Sequence, residues 1–326
     1  MHIDLDNMKA FFIPFFAMLL SVLLVTACGA NAAKKDTASA LQEDMGTGTN
    51  PTSLSKDFKA YWYQGKAEVN SYALTQARYG ELRNGEAVLI FVSEDFLTEE
   101  QVKYEGGSSG PRTEILKLNL LERFNTGIYD YSLMTSVFTP VDGSRTLKTT
   151  CSVQDWCGQA YVQLNHRNDA YEYELRSYFE KEGDKDGKLA ADWLEDGIWN
   201  QVRLDPAKLP NGKVNMVPSS TYLRLTHKPV ELVLVEASTV VNGDTSVFRM
   251  EFAGLDRTVE IRFGTASPHV IFGWSETRPD GFGDRTNTLT TTAVLTHQVM
   301  EPYWGMHANA DDAQRERLGL DRMPVR

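Results

Sequence analysis

Residues 171–180 read YEYELRSYFE, and this stretch decides the fold class. Aromatic or aliphatic side chains at positions 171, 173, 175 and 179 alternate with charged side chains at 172, 174, 176 and 180. Successive side chains of a β-strand point to opposite faces of a sheet. The alternation therefore predicts a half-buried strand with a charged outer face.

Similar short runs recur along the chain between turn signals. The other predicted strands cover residues 87–93, 232–239, 246–252, 258–263, 270–275 and 289–296. The turn signals are Asn84-Gly85, Asn211-Gly212, Asn242-Gly243-Asp244 and Pro279-Asp280-Gly281. Helical patterns are confined to residues 57–63, 187–201 and 311–320.

Short strands at this spacing predict a mainly β fold. We expect a large antiparallel curved sheet or an incomplete barrel, because curvature or closure protects the edges of a large sheet. One or two helices are expected over the concave side. A β-sandwich of two stacked sheets is the alternative.

The composition is that of a globular protein. The chain has 326 residues, of which 42% are hydrophobic and 24% charged, and this excludes a disordered, collagen-like or polytopic membrane chain. With 44 acidic and 33 basic residues, the formal net charge is −11. Non-specific nucleic-acid binding needs Lys and Arg to replace phosphate counterions, so we expect no nucleic-acid partner.

The N-terminal sequence predicts export and lipidation. After Lys9, residues 10–27 are uncharged and almost wholly apolar, which is typical of a secretory signal peptide. The run ends in Val25-Thr26-Ala27-Cys28, which resembles the lipobox of bacterial lipoproteins, where the cysteine is diacylated before cleavage. An uncleaved signal anchor is the alternative. We therefore expect a signal peptide over residues 1–27, synthesis from Met8, and an acyl anchor such as palmitate on Cys28.

The predicted lipoprotein has a tether and one body. Residues 28–56 are rich in small and polar residues without periodicity, which predicts a flexible tether. Residues 57–326 are expected to form a single β-rich domain. No acidic run directly follows Cys28, and this favours anchoring at the outer membrane with the body facing the periplasm.

Two cysteines remain after Cys28. Because Cys151 and Cys157 form an even pair in an oxidising compartment, they predict a disulfide that joins the ends of a hairpin. Two alternatives exist. Trp156-Cys157-Gly158 resembles the start of a thioredoxin-type redox motif, although position 160 is alanine. A zinc site from Cys151, Cys157 and His166 would lack a fourth ligand.

No complete catalytic or metal-binding motif occurs in the sequence. Residues 182–187 resemble the start of a calcium loop, but Trp193 stands where the bidentate glutamate belongs. A nucleophile elbow, a His-Glu-x-x-His motif and a phosphate-binding glycine loop are all missing from the sequence. We therefore predict no catalytic set, no cofactor and no metal.

Aromatic side chains supply the candidate binding surface. Most of them fit a half-buried β core. The remainder predict that one concave face of the sheet is an apolar binding surface. The candidate residues are Tyr61, Trp62, Arg78, Tyr79 and Trp156.

An enzymatic site from scattered residues is the competing hypothesis. Residues 76–81 and Asp155 are the first candidates, because charged groups beside aromatic rings can have shifted pKa values. The simpler interpretation pairs Arg78 with Glu81 at a strand edge.

Several stretches together resemble a known family. They are YWYQGKAE at 61–68, SY at 71–72, QARYGE at 76–81, AVLIFVSEDFL at 87–97, FNTGIY at 124–129, VQDWCG at 153–158 and SYFE at 177–180. The set is similar to predicted envelope lipoproteins of Bacteroidetes-type bacteria, many of which are labelled "septum formation inhibitor Maf". Because the Ser-Pro-Arg-Arg motif of Maf nucleotide pyrophosphatases is missing from this sequence, the resemblance implies envelope localisation and no activity.

A second resemblance concerns RLDP at 203–206 and LPNG at 209–212, followed by alternating strands. It is similar to curved-sheet periplasmic proteins akin to carriers of lipid or lipoprotein acyl chains. Together, these observations predict a lipid-anchored periplasmic protein that binds an apolar, lipid-like ligand or an envelope partner on a concave β surface. The alternatives are an envelope hydrolase and a structural or assembly factor.

Overall fold

The computed structural model describes residues 54–320. The predicted signal peptide, Cys28 and nearly all of the predicted tether lie outside the described residues. No helix in the described range has both the length and the apolar character needed to cross a membrane.

Sixteen strands form one sheet in the described part of the chain. In chain order they are β1 (Ala67–Arg78), β2 (Glu81–Leu97), β3 (Val102–Lys103), β4 (Arg112–Thr126), β5 (Tyr129–Pro140), β6 (Lys148–Asp155), β7 (Gly158–Arg167), β8 (Ala170–Ser177), β9 (Lys185–Leu189), β10 (Trp193–Leu194), β11 (Gly212–Val217), β12 (Val233–Asn242), β13 (Thr245–Phe252), β14 (Arg257–Gly264), β15 (Ile271–Asp280) and β16 (Asn287–Glu301). Each strand predicted from alternation is confirmed, with ends that differ by a few residues.

The sheet is a long antiparallel meander whose two edges are consecutive in the chain. Its order is β10 to β16, then β1, β2 and β4 to β9, with β3 paired only to β2. Within this sheet, only β10 and β11 pair in parallel. Four residue steps join Leu189 at the end of β9 to Trp193 at the start of β10, a reach of roughly 14 Å. The sheet therefore curves until its edges approach at this point, and the predicted curved sheet or incomplete barrel is confirmed.

One turn signal is misleading. Asn84 and Gly85 lie inside β2, where Gly85 pairs with Leu74 on one side and Phe124 on the other. A Cβ on Gly85 would lie 2.3 Å from the carbonyl oxygen of Arg123. Glycine is therefore required because the backbone of β4 approaches closely, and the predicted turn is wrong. The other three turn signals lie at strand ends.

Three α-helices are described: α1 (Lys56–Trp62), α2 (Glu195–Leu204) and α3 (Ser220–Thr226). The helix predicted at 57–63 is confirmed as α1. The one predicted at 187–201 begins later, because residues 185–189 pair with β8 as the edge strand β9. The predicted C-terminal helix is a 3-10 segment, Asn309–Leu318. Shorter 3-10 segments are Pro206–Lys208, Ala253–Leu255, Gly283–Arg285 and Tyr303–Gly305.

Helix α2 lies within the curve of the sheet. Nine of its ten residues are buried. The side-chain amide of Asn200 donates to the carbonyl oxygens of Leu116 on β4, at 2.8 Å, and Val137 on β5, at 3.4 Å. The ring of Trp199 lies 5.1 Å from that of Trp274 on β15. The concave face therefore packs on a helix, as predicted.

Helix α3 covers the upper end of the interior, meaning the end where β1 finishes and β2 starts. Its first turn is fixed by α2, since Asp196 accepts hydrogen bonds from the backbone N–H and the hydroxyl of Ser220 at 3.1 and 2.7 Å. At its other end His227 adopts a left-handed conformation with φ of 54°. The N–H of Lys228 then donates to the Leu223 carbonyl, which closes the helix.

The predicted disulfide is wrong. Cys151 lies in the middle of β6, opposite Val162 of β7, and is buried, whereas Cys157 lies in the exposed turn after β6. Both thiols are free. The four steps of extended strand from Cys151 to Asp155 already span roughly 13 Å, and Cys157 lies beyond them in the turn, so the distance exceeds the spacing that a disulfide bridges. Burial raises the pKa of the Cys151 thiol to about 12, so this thiol behaves as a small apolar side chain.

Candidate functional site

Charged side chains occupy the upper part of the interior. On β15 the inward positions are Trp274, Glu276, Arg278 and Asp280, so three charged residues follow an aromatic one. Arg257 enters the same region from the start of β14 and is 5% exposed. The other polar side chains buried here are Gln76, Arg78, Glu122, Glu195 and Asp196.

An ion-pair network joins α2 to β14 and β15. Arg257 binds both carboxylate oxygens of Glu195, at 2.6 and 2.7 Å, and also pairs with Glu276. Arg278 lies 3.5 Å from Glu276 and 2.6 Å from Asp280. Bidentate guanidinium–carboxylate contacts fix direction as well as distance, so the network sets the position of α2 within the sheet.

Electrostatics in this region depends on which carboxylates have a cationic partner. Burial by itself would raise the pKa of Glu276, but Arg257 and Arg278 outweigh it and hold the pKa below its usual value. Asp196 has no such partner among the described residues. Burial raises its pKa to about 6, even though Ser220 stabilises the ionised form by hydrogen bonding.

The mouth pocket opens at the upper end, beside α3, and encloses about 330 Å³. Its wall includes Arg78, Tyr79, Tyr222, Leu225, Lys228, Asp256, Arg278, Asp280 and Phe282. Phe282 is 63% exposed and its ring lies 5.8 Å from that of Tyr79. The entrance therefore combines exposed aromatic surface with both basic and acidic side chains.

Arg78 lies at the base of the mouth pocket. Its guanidinium donates to the hydroxyls of Tyr131 and Tyr79, at 3.0 and 3.1 Å, and to the carbonyl of Leu225 on α3. The guanidinium carbon lies 4.1 Å from the centre of the Tyr79 ring, a cation–π contact. All these partners are neutral, so the positive charge of Arg78 is not compensated.

This distinguishes Arg78 from the other buried arginines of residues 54–320. Arg203, Arg257 and Arg278 each pair with a buried carboxylate. Arg78 is 5% exposed and pairs with no carboxylate of the described residues. A buried charge without a counter-ion is costly, which favours an anion in the adjoining pocket.

The inner cavity lies deeper, between α2, α3 and the sheet, and encloses about 50 Å³. Glu122, Trp199, Trp274 and Glu276 line it, and Tyr222 and Leu225 separate it from the mouth pocket by lining both. Burial raises the pKa of Glu122 to about 7, with Glu276 and Asp196 adding to the effect.

An apolar cleft lies on the other side of α3 and is narrow, at about 20 Å³. Its apolar wall is formed by inward side chains of β6 to β8, by Leu223 of α3 and by Val230, and the ion pair of Arg224 with Glu182 also lines it. Lys228 lines both the cleft and the mouth pocket. A basic side chain therefore stands where the two spaces meet.

The largest cavity, about 490 Å³, is close to the edge strands and does not contain the charged cluster. Among its wall residues, Arg145, Gln201 and Lys208 each donate to a backbone carbonyl, at 2.7 Å in every case. Tyr171 donates to the Thr146 carbonyl at 2.8 Å. The polar side chains of this cavity therefore hold the surrounding loops in place, and we do not assign a ligand to it.

The five predicted surface residues do not share one surface. Trp62 is 3% exposed and contacts the buried Arg203 at the lower end, and Tyr61 donates to Glu68 there. Arg78 and Tyr79 line the mouth pocket.

Trp156 belongs to the upper end. It is 69% exposed in the turn after β6, and its ring lies 6.4 Å from that of Tyr129. The predicted ion pair of Arg78 with Glu81 is wrong. Glu81 instead pairs with Arg83 at 2.8 Å, because Arg78 points inward from the end of β1.

Sequence reasoning missed the charged interior, although a signal exists. On β4, the inward positions 116, 118 and 120 are leucine, position 122 is Glu and position 124 is Phe. A charged residue in register with an apolar stripe points into the core. The same signal is present on β15, where Glu276, Arg278 and Asp280 continue the inward stripe of Trp274.

Within residues 54–320, no group of three or more His, Cys, Asp or Glu side chains could hold a metal ion. In the calcium-loop-like segment, Glu182 bonds to Ser177, Arg224 and His227, at 2.6 Å in each case.

Comparison of the chain with protein-family models, curated proteins and solved structures gives no match. The candidate site is therefore described by its geometry alone.

Proposed function

We propose that this chain is a lipid-anchored envelope protein that binds an apolar ligand with an acidic group, such as a fatty acid or an alkyl phosphate. The acidic group binds in the mouth pocket, and the apolar chain extends along α3. The proposal combines the lipobox-like ending at Cys28 with the pocket geometry. It places the protein at the outer membrane, facing the periplasm.

The observation that carries the proposal is the uncompensated charge of Arg78. A carboxylate or phosphate in the mouth pocket would provide the missing counter-ion, and the planar guanidinium suits either group. Lys228 has no ion pair with the described residues and lines the same pocket. Two cationic groups without an ion pair therefore face this space, whose wall also carries aromatic and aliphatic side chains, Asp280 paired with Arg278, and Asp256.

The apolar cleft supports the second half of the proposal. Val153, Val162 and Leu175 give it apolar walls, and Lys228 stands at its junction with the mouth pocket. The cleft is narrow without a ligand, so an alkyl chain must displace α3 outward. Helix α3 has only seven residues, and its outward movement requires that the contacts of Arg78 with the Leu225 carbonyl and of Arg224 with Glu182 open, while the contacts of its N-terminus with α2 remain.

Exposed apolar side chains surround the upper end. Ile128, Trp156, Tyr178 and Phe282 are between 63% and 84% exposed, and each lies in or beside a loop at this end. Clustered exposed apolar residues commonly mark sites of ligand or membrane contact. They provide apolar surface on which an amphipathic ligand can approach the pocket.

Arg78→Gln should weaken binding of fatty acids at least tenfold, equivalent to about 1.4 kcal/mol. Glutamine keeps a hydrogen-bond donor but removes the charge that pairs with the acid. Binding is measured by displacing 11-(dansylamino)undecanoic acid with palmitate, with hexadecyl phosphate and with hexadecanol. Palmitate and hexadecyl phosphate should lose affinity in the variant, whereas hexadecanol should bind both proteins equally weakly.

Arg249→Gln is the matched control, because Arg249 lies on the outer face of β13 and pairs with Glu251 and Glu260. It should bind all three probes as the unchanged protein does. Equal palmitate affinity in the Arg78→Gln protein, with its fold intact by circular dichroism, would refute the proposed role of Arg78. Failure of the unchanged protein to bind any probe would refute the ligand class.

The anchor has its own test. Cells that express the full chain should incorporate radioactive palmitate into it, and the Cys28→Ala variant should lose this label almost completely. An acyl anchor requires the thiol of the first mature residue, so partial loss is not expected. Equal labelling of the two proteins would end the lipoprotein assignment without affecting the ligand proposal.

A further inference from the structure

Glu122 has an unusual environment among the buried acids. It points inward from β4 and is 7% exposed. The other buried acids of residues 54–320 each accept at least one hydrogen bond from a side chain or the backbone. Glu122 has neither a hydrogen bond nor an ion pair with any described residue, and its side chain lines the inner cavity.

The walls of the inner cavity carry excess negative charge. Glu122, Glu195 and Glu276 line it, while Arg257 is the one cationic side chain that the described residues contribute to its wall. Arg257 is already shared between Glu195 and Glu276. Asp196 adds a further carboxylate nearby, since its charge acts on Glu122. The uncompensated charge is therefore that of Glu122.

Aromatic rings form the rest of the wall. Trp199 and Trp274 meet edge to face, with ring centres 5.1 Å apart, and Tyr222 closes the side towards the mouth pocket. Aromatic faces attract cations through their quadrupole. Gln76 contributes a side-chain amide oxygen to the wall, and its amide N–H donates to the hydroxyl of Thr291 at 3.2 Å.

The size and composition of the cavity restrict the cation. A volume of about 50 Å³ holds a few water molecules or one compact cationic group. Within residues 54–320, no cluster of three or more acidic, His or Cys side chains is suitable for a metal. A single free carboxylate beside aromatic rings and neutral oxygens instead matches an ammonium group, which has three N–H donors and one charge.

We propose that the inner cavity is a binding site for a small primary ammonium group, with Glu122 as its counter-ion. This site is distinct from the anion site at Arg78 and does not depend on it. The group reaches the cavity from the mouth pocket when Tyr222 and Leu225 of α3 move aside, because these two are the described side chains that line both spaces.

Methylammonium chloride is the probe, compared with sodium chloride and tetramethylammonium chloride at equal ionic strength. At pH 8 and 100 mM, methylammonium should raise the melting temperature by about 3 °C relative to sodium, as expected for a dissociation constant on the order of 10 mM. Tryptophan fluorescence should change with the same saturation, since Trp199 and Trp274 line the cavity. Tetramethylammonium has no N–H donor and should act like sodium.

Glu122→Gln should abolish both responses to methylammonium, whereas Glu251→Gln, an exposed change on β13, should leave them intact. The melting temperature of Glu122→Gln in sodium chloride shows directly whether the variant is folded. Lowering the pH to 5.5 should weaken methylammonium binding about tenfold or more, because Glu122 is then protonated and Asp196, with its pKa of about 6, loses most of its charge as well, while Arg257, Glu276 and Glu195 still face the cavity.

Three results would overturn the proposal. They are an unchanged response in the Glu122→Gln protein, equal stabilisation by sodium, and equal stabilisation by tetramethylammonium. None of them bears on fatty-acid binding at Arg78, so the two proposals fail separately.

Discussion

Replacing Arg203 with methionine should lower the free energy of unfolding by about 3–5 kcal/mol. Arg203 and Glu68 form an ion pair in which both side chains are fully buried, with 2.7 Å between Nη2 and Oε2. Arg203 also donates to the Pro268 carbonyl at 2.9 Å and stacks on Trp62 and Phe91. Methionine keeps much of the packing but leaves the Glu68 carboxylate buried without its counter-ion.

The pKa of Glu68 supports this expectation. Burial by itself would raise the pKa, but Arg203 reverses the effect, with help from hydrogen bonds of Tyr61 and Asn70, and holds it below the usual range. Removing Arg203 leaves burial as the dominant influence. In the variant, Glu68 should therefore take up a proton near neutral pH.

Urea denaturation at pH 7 measures the effect of Arg203→Met. The double variant Glu68→Gln/Arg203→Met should recover more than half of the loss, because no buried charge remains and the new side-chain amide still accepts a hydrogen bond from Tyr61 or Asn70. Arg249→Met is the control on the outer face of β13 and should change stability by less than about 1 kcal/mol. A single-variant loss as small as that of the control would contradict a charge-based role for this pair.

Glu122→Gln should stabilise the protein by about 3 kcal/mol at pH 8 and by less than about 1 kcal/mol at pH 5. The pKa of Glu122 is raised from 4.5 to about 7 in the folded protein. A raised pKa means that the folded state binds a proton more tightly than the unfolded state does. The associated stability is fully present below about pH 4.5 and is lost as the pH rises through 7.

Glutamine cannot ionise, so this loss should vanish in the variant. The measurement is the free energy of unfolding of both proteins between pH 5 and 8, in sodium buffer without amines. The difference between the two curves reports the titration of Glu122 together with its interaction with Asp196, which titrates with a pKa of about 6 in the same range. Parallel curves across this range would show that Glu122 does not titrate as its burial implies.

Much of the fold is predictable from the sequence for a local reason. Alternation, as at 171–180 and 246–252, reports which face of a strand is buried, and hydrogen-bonded neighbours are consecutive through most of the meander. The helix prediction at 187–201 fails at its start because residues 185–189 form the strand β9, whose backbone pairs with the edge of β8. That pairing is a long-range requirement which local propensity does not contain.

The disulfide prediction also fails because local sequence does not contain the spatial requirement. Redox compartment and an even number of cysteines favour a pair, but pairing requires adjacent Cβ atoms. Cys151 and Cys157 lie on one strand and its following turn, so the register of β6 keeps them apart.

For the candidate site, too, the sequence indicates some of the residues, whereas their contacts are visible only in the tertiary structure. Arg78 and Tyr79 are identifiable as candidates from charge beside aromatic residues, but the lack of an ion pair between Arg78 and any described carboxylate is visible only once α3 and β5 surround it. Glu122 carries a sequence signal in its inward register on β4. Its lack of a partner depends on where α2 and β15 place Arg257.

By itself, the sequence determined the export and lipidation prediction, the mainly β class and seven of the sixteen strands, because these depend on local composition and two-residue periodicity. Only the tertiary structure decided that the upper interior is charged and that Arg78 and Glu122 lack counter-ions among the described residues. The physical reason is that compensation of a buried charge depends on distances between residues far apart in the chain. The alternating pattern records that a side chain points inward, but it does not record what it meets there.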